Sequence, residues 1–497
     1  LRQRFKDAIT IGDNMQNFKL GDHKFKKGKF ISPWNEMLTP LTEDESWTYG
    51  RLPEYFWIAL IFNFFGREIG LEKCYFAIKR LNEIEPEMQL PLMSNILRMD
   101  SKKKSDFFDY LVTLGLLEAL APLTVILTHN VSEEFSKTFF SGLGVEKRFI
   151  EISKTLRKGN NHQSYFSTDV RFVVLYFKML SGKFHVTKEI GESYLKYPKL
   201  DHNAEEMKMI RPSIRSSEVI FLKMDDSKLV FAEMFWERVS EMQTCELFLV
   251  QFVEEEQDYQ GYVEKIKPIF EYFAKLLQTT SPLDDKMLVL IGVATYSYKR
   301  FLEMVNHNLF NAISGRSITR VLVEDYIMMK YLLKQEIEYE NIWKEFQMYG
   351  IGQYKLILQK SREFSEVRDQ SHVNYLYLES LVNEYTNENF IDMDTNYFGK
   401  GGVRDKALLV GERELFGLYY DYDSAFEHGL WGAIRESSML KCNVPSHQYH
   451  CVPDVNDEQK LKSVWHDGVM MINKTILLLN EIYGVPNDLL EGIDLKK

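Results

Sequence analysis

The sequence predicts an all-α protein, a multi-helix bundle in two helical domains with at most a small β-hairpin. Three observations lead there. Apolar residues recur at the 3.6-residue helical period along most of the chain, only 13 prolines interrupt 497 residues, and stretches of period-two alternation are scarce. A hydrophobic share of 45%, with 34 Phe and 27 Tyr, exceeds what a disordered chain carries and supplies sizeable cores.

In chain order, "HKFKKGKF" at 23–30 reads as a solvated basic loop. "RLPEYFWIALIFNFFGREIGLEKCYFAIKRL" places Phe56, Leu60, Phe64 and Phe65 at helical steps, with Pro53 in a first turn and Gly70 as a stop. Helical patterns follow at 105–121, 132–157, 170–181, 229–253, 261–278, 286–310, 315–337, 340–360, 373–386, 404–441 and 458–484. The strand-like stretch "SEVIFLKMDDSKLVF" at 217–231 reads equally as a hairpin or as helix–loop–helix. Turn-rich segments at 157–169, 196–213 and 278–286 mark candidate boundaries, and the last divides the chain into 1–280 and 281–497.

The net charge of −11 disfavours a surface built as a whole for nucleic acid, leaving room for a local basic patch. Four scattered cysteines are no disulfide framework, and "LRQRFKDAIT" lacks the apolar core of a signal peptide, so a reducing cytoplasm is expected. The nearest approach to a membrane span, "YLVTLGLLEALAPLTVILTH", is broken by Glu118 and Pro122, and no membrane partner is expected.

Chemistry concentrates in the second half. In "SGRSITRVLVEDYIMMKYLL" at 314–333 both sides of the helix are apolar, which predicts burial, while Arg316, Arg320 and Glu324 share one stripe at spacing four. Asp325 falls in the apolar arc. Buried charges require partners, so the stripe is either a structural ion-pair network or a functional polar pocket. "YYDYDSAFEHGLWGAIRESS" at 419–438, read as one helix, puts Tyr420, Ser424, Glu427, His428, Trp431 and Arg435 on a broad face. His428 is the candidate general acid or base there, and Gly429 and Gly432 suggest close approach of a backbone or ligand. Arg300 and His307, two turns apart in "KRFLEMVNHN", form a pair that resembles the Arg/His signature of HEPN ribonucleases, which implies attack by a 2′-hydroxyl with the arginine on phosphate. Finally, Cys442, His447 and His450 in "CNVPSHQYHCVP" offer three ligands that could take zinc, although they lack the paired C-x2-C spacing; a loop whose histidines cap the preceding helix is the competing reading, and no other cofactor is expected.

The segment from about 285 to 485, through "GRSITRVLVEDYIMMKYL", "YYDYDSAFEHGLWGAIRESS" and "CNVPSHQYHCVPD", is similar to an uncharacterised group of large bacterial helical proteins, a domain of unknown function. "ISPWNEML" and "RLPEYFWIALI" resemble its longer members. The resemblance implies no catalytic residues; some helical families of this type occur in bacterial phage-defence loci. Two functions follow as expectations. One is a metal-independent ribonuclease or phosphodiesterase acting on RNA or a nucleotide, with His428 or His307 as acid/base and the arginines on phosphate. The other is a helical binding or scaffold protein, with a protein partner, whose buried charges only specify packing.

Overall fold

The computed structural model describes residues 20–31, 46–183, 188–223, 229–253, 256–363, 372–444, 447, 450–456, 460–491 and 493. Among the described residues helix dominates, and strands are confined to a two-stranded and a three-stranded sheet. The basic run near the N-terminus is not a loop but an exposed antiparallel hairpin, Lys24–Lys26 with Lys29–Ile31, turned by Lys27 and Gly28 at positive φ. "ISPWNEML" lies almost wholly outside the described residues.

The chain forms two compact units, one of residues 1–247 with 442–450 and the other of 248–441 with 451–497. The division therefore falls about 30 residues before the expected position near 280. The reason is the helix Tyr259–Thr279, whose Ile266, Ile269, Phe270 and Phe273 belong to the second core. "QTTSPLDDK" is a turn within that unit, and Asp284 ends it by capping the next helix through the Met287 amide at 3.0 Å.

In the first unit the helix Phe56–Phe65 is apolar nearly all round and sits in the core. The helices Arg67–Ile84, Val145–Gly159 and Tyr165–Leu180 pack about it. The stretch 217–231 holds the end of the helix Met207–Lys223 and the start of the helix Val230–Ser240, with 224–228 outside the described residues. The apolar stretch near 110–127 bends by 120° between Ser101–Thr113 and Leu117–Val125. Among the described residues no single helix is long and apolar enough to cross a membrane.

Two buried carboxylates organise this unit. Glu54, 0% exposed, accepts from the Ser94 amide at 2.8 Å, the Ser94 hydroxyl at 2.7 Å and the Ala232 amide at 3.3 Å. It thus serves the N-termini of the helices Met93–Arg98 and Val230–Ser240 at once, where amides lack intrahelical partners and the dipole favours negative charge. Glu218 accepts from Arg51 and, at 3.0 Å, from the Tyr55 hydroxyl, and lies 3.2 Å from Nε of Arg171. Arg171 in turn lies 3.8 Å over the Trp47 ring.

Removing one member of a buried ion pair strands the others. Glu218→Ala is expected to lower stability by about 3–5 kcal/mol. A shift of the urea-unfolding midpoint of the full chain checks it, and an unchanged midpoint counts against the assignment.

Candidate functional site

The second unit is assembled around the helix Ile313–Gln335. Against it pack Asp285–Asn306, Val403–Leu409, Asp421–Glu427 and Trp465–Tyr483. Ile318, Leu322, Val323, Ile327, Met329 and Leu332 are buried on both sides of it, as the all-round apolar pattern predicts.

Its charged stripe meets neighbours at each turn. Arg316, 2% exposed, donates to the Phe310 carbonyl at 3.1 Å and to the Lys462 carbonyl, and lies 5.6 Å over the Phe426 ring. Burial lowers its pKa, against the pull of Tyr422 and Asp423. Arg320 donates Nε to the Ser424 hydroxyl at 3.0 Å and Nη2 to the Tyr420 hydroxyl at 2.5 Å, and pairs with Glu324 at 3.2 Å. The Arg320 guanidinium also lies over the Tyr420 ring, 4.5 Å from its centroid. Glu324 accepts from the Tyr397 hydroxyl at 2.7 Å, and burial together with that carboxylate raises the Tyr397 pKa. Arg316 and Arg320 thus reach the segment 419–438, through the Phe426 ring and the Tyr420 and Ser424 hydroxyls, whereas Glu324 meets Tyr397. The ion pair is internal to the helix, Arg320 with Glu324 at i,i+4.

The remaining candidates are not gathered there. The stretch 404–441 is not one helix: it runs as Val403–Leu409, a wide π-type turn Leu415–Tyr420, Asp421–Glu427 and Trp431–Ser437. Gly429, at φ +56°, ends Asp421–Glu427; its amide bonds back to the Phe426 carbonyl and the Leu430 amide to the Ala425 carbonyl, a Schellman closure. Neither Gly429 nor Gly432 has another group close by, so the need at Gly429 is its backbone conformation. The break leaves His428 exposed at the helix end, Glu427 exposed and bonded to the Ser317 hydroxyl, and Arg435 exposed on the following helix. Arg300 pairs with Glu303 at 2.5 Å on its own helix, and His307 is the exposed C-cap of that helix.

Sequence reasoning passed over Asp423. It is buried on Asp421–Glu427, and burial raises its pKa to about 7 against the nearby Arg316 and Arg320. Asp325 is likewise pushed up to about 7 by burial, against a 2.7 Å hydrogen bond from the Ser297 hydroxyl.

Two clefts open in this unit. One of about 510 Å³ lies between the C-terminal part of Ile313–Gln335, the helix Ile342–Glu363 and the segment 390–400. Tyr331, Tyr339, Tyr349, Phe390 and Phe398 line it with Glu345, Asp392 and Asp394. The segment is fastened to Ile342–Glu363 by Lys355 to the Ile391 carbonyl at 2.6 Å, Gln353 to the Asp394 carbonyl at 2.6 Å and Tyr349 to the Asn396 carbonyl at 3.1 Å. Gly352 admits it: a Cβ there would stand 2.5 Å from the Asp392 carbonyl oxygen. The second cleft, about 350 Å³, carries Arg435, Lys441 and Lys460 beside Leu249, Val250 and Phe252.

In the first unit, Cys442, His447 and His450 do converge, and a fourth group joins them, Cys245. Nothing in the surrounding "MQTCELF" marks that cysteine as their companion.

Residues 290–445 match a family of unknown function, DUF5677. That span holds the charged stripe, the whole lining of the larger cleft and half that of the smaller. No curated protein and no solved structure matches the chain significantly.

The raised carboxyls make stability depend on pH. Unfolded, Asp325 and Asp423 titrate near 4, whereas folded they titrate at about 7, so between these values the folded state holds more protons. Their stabilising contribution is complete below about pH 4 and is lost as pH rises through 7. Replacing both by Asn is expected to flatten the fall in denaturation midpoint between pH 5 and pH 8; an unaltered slope would contradict the assignment.

Proposed function

We propose that this chain is a helical binding protein whose buried charges hold the second unit together, and that its ligand is a cationic group taken up by the aromatic and acidic cleft. One observation carries the reading: five aromatic rings and three carboxylates line a single cleft whose irregular wall is already fastened to a helix. Aromatic faces and carboxylates both attract organic cations, with Lys400 the one opposing ammonium in the lining. A preformed wall spares the entropy of ordering on binding. The Arg320 cluster supports the same reading from the other side. Its donors are engaged by Ser424, Tyr420 and Glu324, leaving the guanidinium committed to packing.

The class of ligand that fits is a quaternary ammonium or an arginine or lysine side chain of a protein partner. Phe390, 81% exposed, and Tyr339 stand where such a group enters. Titrating the full chain with tetramethylammonium and with arginine methyl ester is expected to give saturable binding. Removing either ring should weaken it roughly 2- to 30-fold, from about 0.5–2 kcal/mol per cation–π contact. Absence of saturable heat with both probes, or binding unchanged in a Tyr339→Ala, Phe390→Ala double variant, overturns the proposal.

A second reading, a ribonuclease or phosphodiesterase effector of bacterial phage defence, keeps one supporting observation. Arg435, Lys441 and Lys460 line the smaller cleft, where a phosphate or RNA backbone could be held. Under the binding-protein reading the purified chain leaves a fluorescent RNA intact, and His428→Ala melts like the wild type because its side chain is exposed. RNA cleavage that His428→Ala or Arg435→Ala abolishes would replace the first reading by the second.

A further inference from the structure

We infer that Cys245, Cys442, His447 and His450 form a tetrahedral structural site for Zn²⁺ within the first unit. The four candidate ligand atoms lie within 4.8 Å of one another. Cys245 Sγ stands 3.2 Å from His447 Nδ1 and 3.2 Å from His450 Nε2, and Cys442 Sγ stands 3.7 Å from His447 Nδ1. A tetrahedral ion with Zn–S of about 2.3 Å and Zn–N of about 2.0–2.1 Å separates its sulfur and nitrogen ligands by roughly 3.5 Å. The cluster already has that span.

The orientation of the rings argues in the same direction. His447 directs Nε2 to the Gln243 carbonyl at 2.6 Å, and His450 directs Nδ1 to the His447 carbonyl at 3.2 Å. A carbonyl only accepts, so each of those nitrogens carries the proton, and the nitrogen facing the sulfurs presents a lone pair. The Val444 amide points at Cys442 Sγ at 3.4 Å, an outer hydrogen bond of the kind that orients a ligand sulfur. Two imidazole lone pairs and two sulfurs therefore converge, one sulfur lying against both rings. A divalent cation resolves that crowding: it replaces the two thiol protons, which pass to solvent, and leaves a neutral centre with all four positions filled by protein.

The backbone is arranged to match. The Cys442 amide donates to the His450 carbonyl at 2.9 Å, bringing those two ligands together, and the Asn443 amide donates to the Glu246 carbonyl at 3.2 Å, beside Cys245. Cys451, next to His450, is not among the four.

Metal analysis of the full chain, purified under reducing conditions without chelator, tests this. One zinc per chain is expected, lost in Cys245→Ser and in His450→Ala but kept in Cys451→Ser. Because a ligand variant could fail to fold, the wild type is also stripped with chelator and refilled with Co²⁺. Thiolate-to-cobalt charge transfer and the intense visible bands of a tetrahedral ion are expected at one equivalent. Wild-type protein that neither carries zinc nor takes up stoichiometric Co²⁺ overturns the inference, as does a Cys245→Ser variant with undiminished zinc.

Discussion

The helix Ile313–Gln335 has neighbours on every side, and that enclosure governs the second unit. A helix with no broad solvent face cannot leave Arg316, Arg320, Glu324 and Asp325 to water, so each turn of it dictates what must stand opposite. Tyr420 and Ser424 are called to Arg320, Tyr397 to Glu324, Ser297 to Asp325, and two main-chain carbonyls to Arg316. Those partners come from before and after the helix in the chain. One enclosed element thereby sets the positions of several others, and a mispacked arrangement would strand a charge.

The first unit meets the same constraint differently. Its enclosed helix Phe56–Phe65 is almost purely apolar, and the charges sit just ahead of it, at Arg51 and Glu54. Glu54 answers helix N-termini, whose amides would otherwise lack partners, and Glu218 is shared between two guanidiniums and a phenol. In one unit the buried charges ride on the central helix; in the other they frame its entrance. Either way they select one packing among many that apolar contacts alone would tolerate.

These differences explain what the sequence could reveal. Long periodic segments such as 286–310 and 315–337 were legible because burial on a helix face imposes its period on composition. The Arg320–Glu324 stripe was legible for the same reason: spacing of four is a local property of helices. The break at Gly429 was not, since a glycine in a left-handed helix end and a glycine inside a helix are the same letter, and the error carried His428 and Arg435 onto a face that does not exist. The division between units was hidden because a capped turn at Asp284 and a true boundary have the same turn-rich composition. Cys245 was out of reach altogether, its companionship with His447 and His450 being a product of tertiary folding.

That separation also sets a clock. His447 follows Cys245 by 202 residues. At roughly 5–20 residues per second of synthesis, the cysteine leaves the ribosome some 10–40 s before its histidine partners exist. The first unit's main run of sequence ends at Leu247, yet the segment 442–450 that completes it is made only after the intervening run 248–441. Through that interval the nascent chain carries an unpartnered Cys245 thiol, open to oxidation or to borrowing ligands from another molecule. The finishing step of the first unit therefore waits on synthesis of the run 248–441, and a ribosome that stops short of residue 450 releases a first unit without the segment that completes it.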